Sequence, residues 1–398
     1  MSTQQLHDHQ QSTLDLARFH VDPQRGFLPA EDPLDRLPSS FALWEDIARE
    51  LPKRLVAGAL RRDLAQLPLL KVSALHTQQQ LERAMLLLSY FGHAYVWGEP
   101  TPADRLPASI AVPWYAVSQR LGRPPVLSYA SYALHNWRRL DAAGPVALGN
   151  IVLLQNFLAG ADEEWFILVH VDIEATMGPA IAALGRLQAA VAEDSASEVE
   201  QHLTLIASTL ERAYATLLRM PEWCDPYIYY HRVRPYIHGW KNHPALPQGI
   251  IYEGVDAYKG IPQQFRGETG AQSSIIPSLD AVLGITHQHD PLRPYLMEMR
   301  DYMPKEHRAY IEALEQGPSV RDYVIAHYHD QPALRDGYNA CVRWIAEFRS
   351  KHLEYAARYI YQQSQHSVDN PTNVGTGGTP FMPYLKKHRD ETMGHLIE

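Results

Sequence analysis

Between residues 333 and 362 the chain reads ALRDGYNACVRWIAEFRSKHLEYAARYIYQ, one unbroken amphipathic pattern. Leu334, Tyr338, Cys341, Ile345, Phe348, His352, Ala356 and Tyr359 follow one another at steps of three or four. That spacing is the stripe a helix turns toward a core. His352 stands in the stripe among apolar and aromatic residues, and Arg349 flanks it one turn earlier.

A neutral imidazole aimed into an apolar interior suits the axial position of a haem iron. An arginine one turn away can meet a haem carboxylate. A packed histidine bonded to a backbone carbonyl fits the same spacing. EEWFILVHVDIEATMGPAI, at 163–181, repeats the theme, with Phe166, Val169, His170, Ile173 and Met177 on one helical face. Two inward histidines on two helices can flank a planar cofactor, although His170 can equally be a packing residue.

The rest of the chain also reads as helix. Segments are expected at 41–66, 78–97, 128–140, 146–158, 163–192, 197–219, 225–239, 272–285, 291–301, 305–315, 319–328 and 333–364. Alternation with a period of two is confined to 67–72 and 249–253, so the fold class is mainly α. Residues 1–30 read as a loose arm ordered near Phe27, and recurring prolines between 100 and 128 predict connecting loop with one short helix. The polar, glycine-rich stretch 365–379 predicts a mobile loop. The expected division is a small, mostly helical N-terminal domain at 1–157 and a large all-α domain at 158–398.

A net charge of −9 argues against general nucleic-acid binding. No run of about eighteen apolar residues predicts a membrane span, and the first residues do not resemble a secretory signal. Two cysteines, Cys224 and Cys341, make neither a disulfide framework nor a zinc knuckle, so a cytoplasmic location is the default. No C-x-x-C-H occurs, so any haem is held non-covalently. GTGGT at 375–379 lacks the lysine of a P-loop. His287 and His289, like His327 and His329, lack a third partner at ligand spacing and are expected on the surface.

In DPYIYYHRVRPYIHGWKNHP at 225–244, Asp225 is the expected N-cap, Pro226 the first helical residue and Gly239 the stop. Pro235 disturbs the turn before it, beside Tyr229, Tyr230 and Arg234. Arg234 can grip a carboxylate with two prongs, or simply be solvated. FRGETGAQSS at 265–274 is a small-residue loop entering a helix that carries Asp280. Free amides at a helix start can receive anionic groups.

Longer strings carry a resemblance. GFLP at 26–29, HAYVWGE at 93–99, LPASIAVPW at 106–114, PPVLSYASYALHNW at 124–137, GAQSSIIPSLDAVLGI at 270–285, FRSKHLEYAARYI at 348–360 and GTGGTPFM at 375–382 occur in this order. The chain resembles the indoleamine 2,3-dioxygenase family, whose superfamily includes tryptophan dioxygenases, from about Gly26 to its end. The resemblance implies non-covalent haem b, dioxygen as co-substrate, and cleavage of the indole 2,3-bond of L-tryptophan or a related indole to an N-formylkynurenine-type product. It implies His352 as proximal iron ligand, Arg349 as a haem-propionate contact and Asp280 in the proximal polar network. Arg234 matches the substrate-carboxylate arginine. Tyr129, Tyr132, Ala133 and Phe166 fall along the indole pocket, Tyr229, Tyr230, Glu268, Thr269 and Gly270 are further substrate contacts, and Thr379 lies in the closing loop.

Departures from the family pattern bear on substrate. His170 stands where vertebrate members have serine and tryptophan dioxygenases have a distal histidine, so it is expected to assist catalysis. Tyr229 and Tyr230 replace phenylalanines, and Glu268 and Thr269 replace a glycine and a serine. Glu268 could meet the substrate ammonium or exclude tryptophan itself. Two alternatives follow: a haem enzyme of this scaffold acting on another indole, and a haem or O2-binding protein without turnover.

Overall fold

The computed structural model describes residues 14–287, 292–365, 375–376 and 382–398. Helices account for nearly all regular structure. Among the described residues there are two small sheets: Arg105–Leu106 runs parallel to Ile251–Tyr252, and Trp137–Arg139 runs antiparallel to Ile151–Leu153.

Three long helices form the frame. Ala161–Ala192 opens with Asp162, Glu163 and Glu164 in its first turn, where carboxylates complement the helix dipole. It packs along Ala196–Leu218, which packs in turn against Pro332–Ala356, and the C-terminal helix Met382–Met393 lies on the last of these. By length and composition the first could cross a bilayer, but 78% of its most apolar window is buried inside the protein. A continuous apolar cluster spans Phe19 to Ile397 and joins side chains from both sides of position 157.

The expected stripe is present from Pro332 onward: Leu334, Tyr338, Cys341 and Ile345 are fully buried. The chain stays helical to Ser364 through a π turn at Ala357–Tyr361. Tyr229–Val233, directly before Arg234 and Pro235, is a second π turn, as the missing Pro235 amide requires. Asp225 caps that helix, accepting from the amides of Tyr227 and Ile228. A third π turn, Ala130–Leu134, begins beside Tyr129.

Four expectations are corrected. Residues 146–158 are not a helix, because side-chain amides there bind backbone across the segment. Asn136 Nδ2 donates to the Gln155 carbonyl at 2.9 Å, and the Gln155 amide donates back to Asn136 Oδ1 at 2.8 Å, which fixes the short strand pair. Residues 128–140 are helical only to Leu134 and then enter a strand. The proline-rich region contains a full 14-residue helix, Ala108–Leu121, with Pro113 inside it; burial of Ile110, Trp114, Val117 and Leu121 outweighs the lost hydrogen bond. Residues 67–72 form no strand.

The arm is ordered well before Phe27, since Phe19 and Val21 are buried. Its turn at Asp22–Gly26 crosses the central helix at Gly178, where a Cβ would lie 2.1 Å from the Gln24 carbonyl oxygen. Gly178→Ala is therefore expected to destabilise the protein by about 2 kcal/mol, the usual scale for overpacking. A thermal melt of the variant superimposing on wild type would refute this close contact.

Candidate functional site

His352 brings surface area and electrostatics into apparent conflict. The residue is exposed over more than a third of its surface. Yet its pKa is lowered to about 4, chiefly by burial and in smaller part by the charge His170 would carry. Both hold when a ring deep in the molecule borders an internal cavity. The stripe changes at the same place, from fully buried Ile345 to partly accessible Phe348 and then His352.

His170, on Ala161–Ala192, lies close enough for its charge to act on His352. Its Nδ1 is 2.7 Å from the Phe166 carbonyl, so Nδ1 carries the proton of the neutral ring and Nε2 keeps its lone pair. Burial keeps it neutral, its pKa falling despite the carbonyl. Aromatic rings continue the wall. Phe166 lies 4.7 Å from His170, 4.6 Å from Tyr229 and 6.3 Å from Tyr132 between centroids. Tyr129 meets His170 edge-on at 6.0 Å, and Tyr229 meets Tyr359 edge-on at 5.9 Å. The three π turns thus supply Tyr132, Tyr229 and Tyr359 to one wall. Tyr132 and Ala133 are buried, and the Tyr132 hydroxyl is buried with no hydrogen-bond partner among the described residues.

Arg234 is fully buried, not solvated, with its guanidinium 5.4 Å from the Tyr230 ring centre. Burial lowers its pKa, opposed by Tyr229 and Tyr230. The 265–274 loop is pinned against the end of the same helix: the Glu268 amide donates to the Ile237 carbonyl at 3.1 Å. Gly239 and Gly267 permit this, since a Cβ on either would fall 2.2 Å from the other's backbone nitrogen. Glu268 is 4% exposed. No basic side chain pairs with its carboxyl among the described residues, and burial pushes its pKa up to about 8. Thr269 accepts from the Ala271 amide, opening the turn Gly270–Gln272.

Sequence reasoning missed a network behind Tyr129. Its hydroxyl donates to Glu174 Oε1 at 2.9 Å, and Ser273 donates to the same oxygen at 2.8 Å. The Tyr129 amide donates to Gln272, whose own amide donates to the Gly267 carbonyl. Tyr129 and the Glu268 loop are therefore one hydrogen-bonded unit. The signal for Glu174 was its place one turn beyond His170 on the same face.

On the other side of His352, Arg349 donates to Asp280 Oδ2 at 2.6 Å and to Thr392. Asp280 stays below the usual carboxylate range: its burial is overcome by Arg349 and His287. His287 is not a surface histidine; it lies 3.4 Å from Asp280 and 2.8 Å from Glu391. Thr379 and most of 365–379 lie outside the described residues. Of that stretch, Thr376 donates from its hydroxyl to the Glu268 carbonyl.

The indoleamine 2,3-dioxygenase family model matches residues 15–395. This chain belongs to the indoleamine 2,3-dioxygenase family. It is 37% identical to indoleamine 2,3-dioxygenase 1 of Rattus norvegicus, covering 96% of each chain. It is 35% identical to an indoleamine 2,3-dioxygenase of Aspergillus candidus, covering 96% of this chain and 97% of that one. It is 32% identical to a 6-hydroxytryptophan 2,3-dioxygenase of Fusarium equiseti, covering 96% and 98%. As an indoleamine 2,3-dioxygenase family member the chain is an oxidoreductase, and enzymes of this family are haem dioxygenases. The mainly α expectation and the resemblance both hold.

Proposed function

We propose that this chain uses haem and dioxygen to cleave the indole 2,3-bond of L-tryptophan or a ring-substituted relative, giving an N-formylkynurenine-type product. The observation that carries the reading is an accessible His352 imidazole close enough to His170 for its charge to be felt, with Tyr129, Phe166 and Tyr229 grouped around His170. An accessible, neutral imidazole deep in a helical body fits an iron ligand, and His352 would hold the haem with Arg349 and Asp280 near its propionates. When bound, the haem supplies oxygen activation.

The chain's own residues bind and orient the substrate. Arg234 would take the carboxylate through paired N–H donors. Tyr129, Phe166 and Tyr229 would hold the indole and exclude water. His170 Nε2, its lone pair free because Nδ1 faces the Phe166 carbonyl, would accept the indole N–H. Glu268 would meet the ammonium. The 1–157 segment, which contributes Tyr129, Tyr132 and Ala133, would act as the smaller domain over the distal side, with the 365–379 loop closing beside it.

Product analysis tests the reading. Reduced enzyme with tryptophan and dioxygen should yield a product heavier by one dioxygen, and its absence would reject tryptophan cleavage. The buried Tyr132 hydroxyl favours a second reading, a hydroxylated indole as preferred substrate. A hydroxytryptophan would then be converted with a higher kcat/KM than tryptophan.

The Glu268 role predicts a pH dependence. Below about 8 its carboxyl is protonated in the free protein and gives an ammonium little attraction. KM should therefore fall as pH rises from 7 through 8, and Glu268→Gln should remove that dependence. Stability moves the other way. A raised carboxyl pKa means the folded state binds more protons between the unfolded value of 4.5 and about 8, so stability declines across that window as pH rises. Glu268→Gln should flatten this decline too, and a variant with both wild-type slopes would remove Glu268 from the pocket.

A further inference from the structure

The segment after helix Ile275–Leu283 and the C-terminal helix Met382–Met393 bring together His287, His388 and Glu391, residues with no assigned role in the indole pocket. One ligand atom from each lies within 4.8 Å of the other two. His287 Nδ1 is 2.8 Å from Glu391 Oε2. The two imidazoles stack with centroids 4.1 Å apart and planes 16° from parallel. His388 and Glu391 are three residues apart on one helix and so share a face. His388 is 9% exposed, and its Nε2 is buried without a hydrogen-bond partner.

We propose that His287, His388 and Glu391 form a zinc-binding site, adjoining Asp280 and Arg349 on the His352 side of the fold, with two imidazole nitrogens, one carboxylate oxygen and a fourth position for water. Two nitrogens and one oxygen are a donor set that zinc accepts tetrahedrally. Buried His388 Nε2 has a lone pair or a proton with nowhere to go, and a cation gives that lone pair a partner. His287 adds a second indication. Its other nitrogen, Nε2, lies 3.4 Å from Asp280 Oδ2. A carboxylate behind a ligating imidazole holds the proton on the far nitrogen and leaves the near one free to coordinate.

The spacing is close to what an ion requires. Bonds of about 2.0–2.2 Å in a tetrahedron put ligand atoms roughly 3.3–3.5 Å apart, so the His287–Glu391 contact has to open by about half an ångström. Both side chains are about 15% exposed, which leaves an entry path. Two cations stand nearby. Arg349 is engaged by Asp280 and Thr392, and its Nη2 also comes within 3.4 Å of His287 Nε2, the nitrogen turned away from the proposed ion. Lys387, one-third exposed and 3.3 Å from Glu391 Oε1, is on the oxygen the ion does not need and can swing into water. An ion here would tie the C-terminal helix to the segment that carries Asp280, on the His352 side of the fold.

The test uses the haem-loaded enzyme, stripped with chelator, incubated with zinc sulfate and desalted. Elemental analysis should find one zinc per chain, with a higher melting temperature than the stripped protein. Glu391→Gln and His388→Ala should each weaken zinc binding at least tenfold and lose the thermal shift, while His329→Ala, at an exposed histidine, should keep both. X-ray absorption at the zinc edge should show nitrogen and oxygen neighbours with imidazole outer shells. Wild type that retains no zinc, or a Glu391→Gln protein that binds it as tightly as wild type, would overturn the site. Should both variants fail to fold, the wild-type edge spectrum decides: fewer than two imidazoles rejects the assignment. Zinc is counted against protein concentration, so this outcome is independent of the dioxygenase reading.

Discussion

His352→Ala is expected to fold and yet to purify with less than a tenth of the wild-type haem. The imidazole is accessible and carries no hydrogen bond to another side chain among the described residues, so the apo fold loses little when it is truncated. Its neighbours on the helix, from Leu334 to Ile345, already secure the packing. Haem, in contrast, would lose its iron–nitrogen bond and keep only apolar contact and the Arg349 region. The measurement is the Soret band per chain, with a melting curve of the haem-free protein beside it. A variant with wild-type band position and intensity would show that iron is held elsewhere. A variant that fails to fold without haem would instead make His352 a packing residue, contrary to its accessibility.

Arg234→Ala should cost the largest factor in turnover among the distal residues. The guanidinium is fully buried beside Tyr229 and Tyr230, a placement with a high desolvation cost. A charged, two-pronged contact to a carboxylate contributes about 3 kcal/mol, or roughly a hundredfold in kcat/KM. The loss should fall mainly on KM, with kcat following if the indole is no longer held in register. Tryptamine, which lacks the carboxylate, provides the control: its kcat/KM should hardly change, so the enzyme's preference for the amino acid should collapse. Arg234→Lys should rescue only partly, because an ammonium lacks the planar fork. Equal losses for tryptophan and tryptamine would mean that Arg234 supports the fold of the π turn and touches no carboxylate.

Much of this site was legible because helices write their geometry locally. The stripe ending in His352, the face shared by Phe166 and His170, the cap at Asp225 and the disturbance before Pro235 all follow from a period of 3.6 residues and one missing amide. Arg234 could not be assigned by its own segment, since a helix shows which residues share a face but not what covers that face. Residues 146–158 were misread for a related reason. Their apolar spacing fits a helix, but the Asn136–Gln155 exchange that fixes them as strand and loop comes from outside the segment.

The sequence alone determined that this chain would be a body of long helices with two histidines turned inward, because periodicity and proline chemistry act over a few residues. Only the tertiary structure decided what those residues face. Crossing helices left His352 accessible and brought His170 within reach of its charge. They buried Glu268 away from cations among the described residues and hung Tyr129 and Ser273 on the same Glu174 oxygen. They also carried His388 and Glu391 to His287 from a hundred residues further along the chain. Those meetings depend on which faces pack together, and packing is settled by the whole core at once.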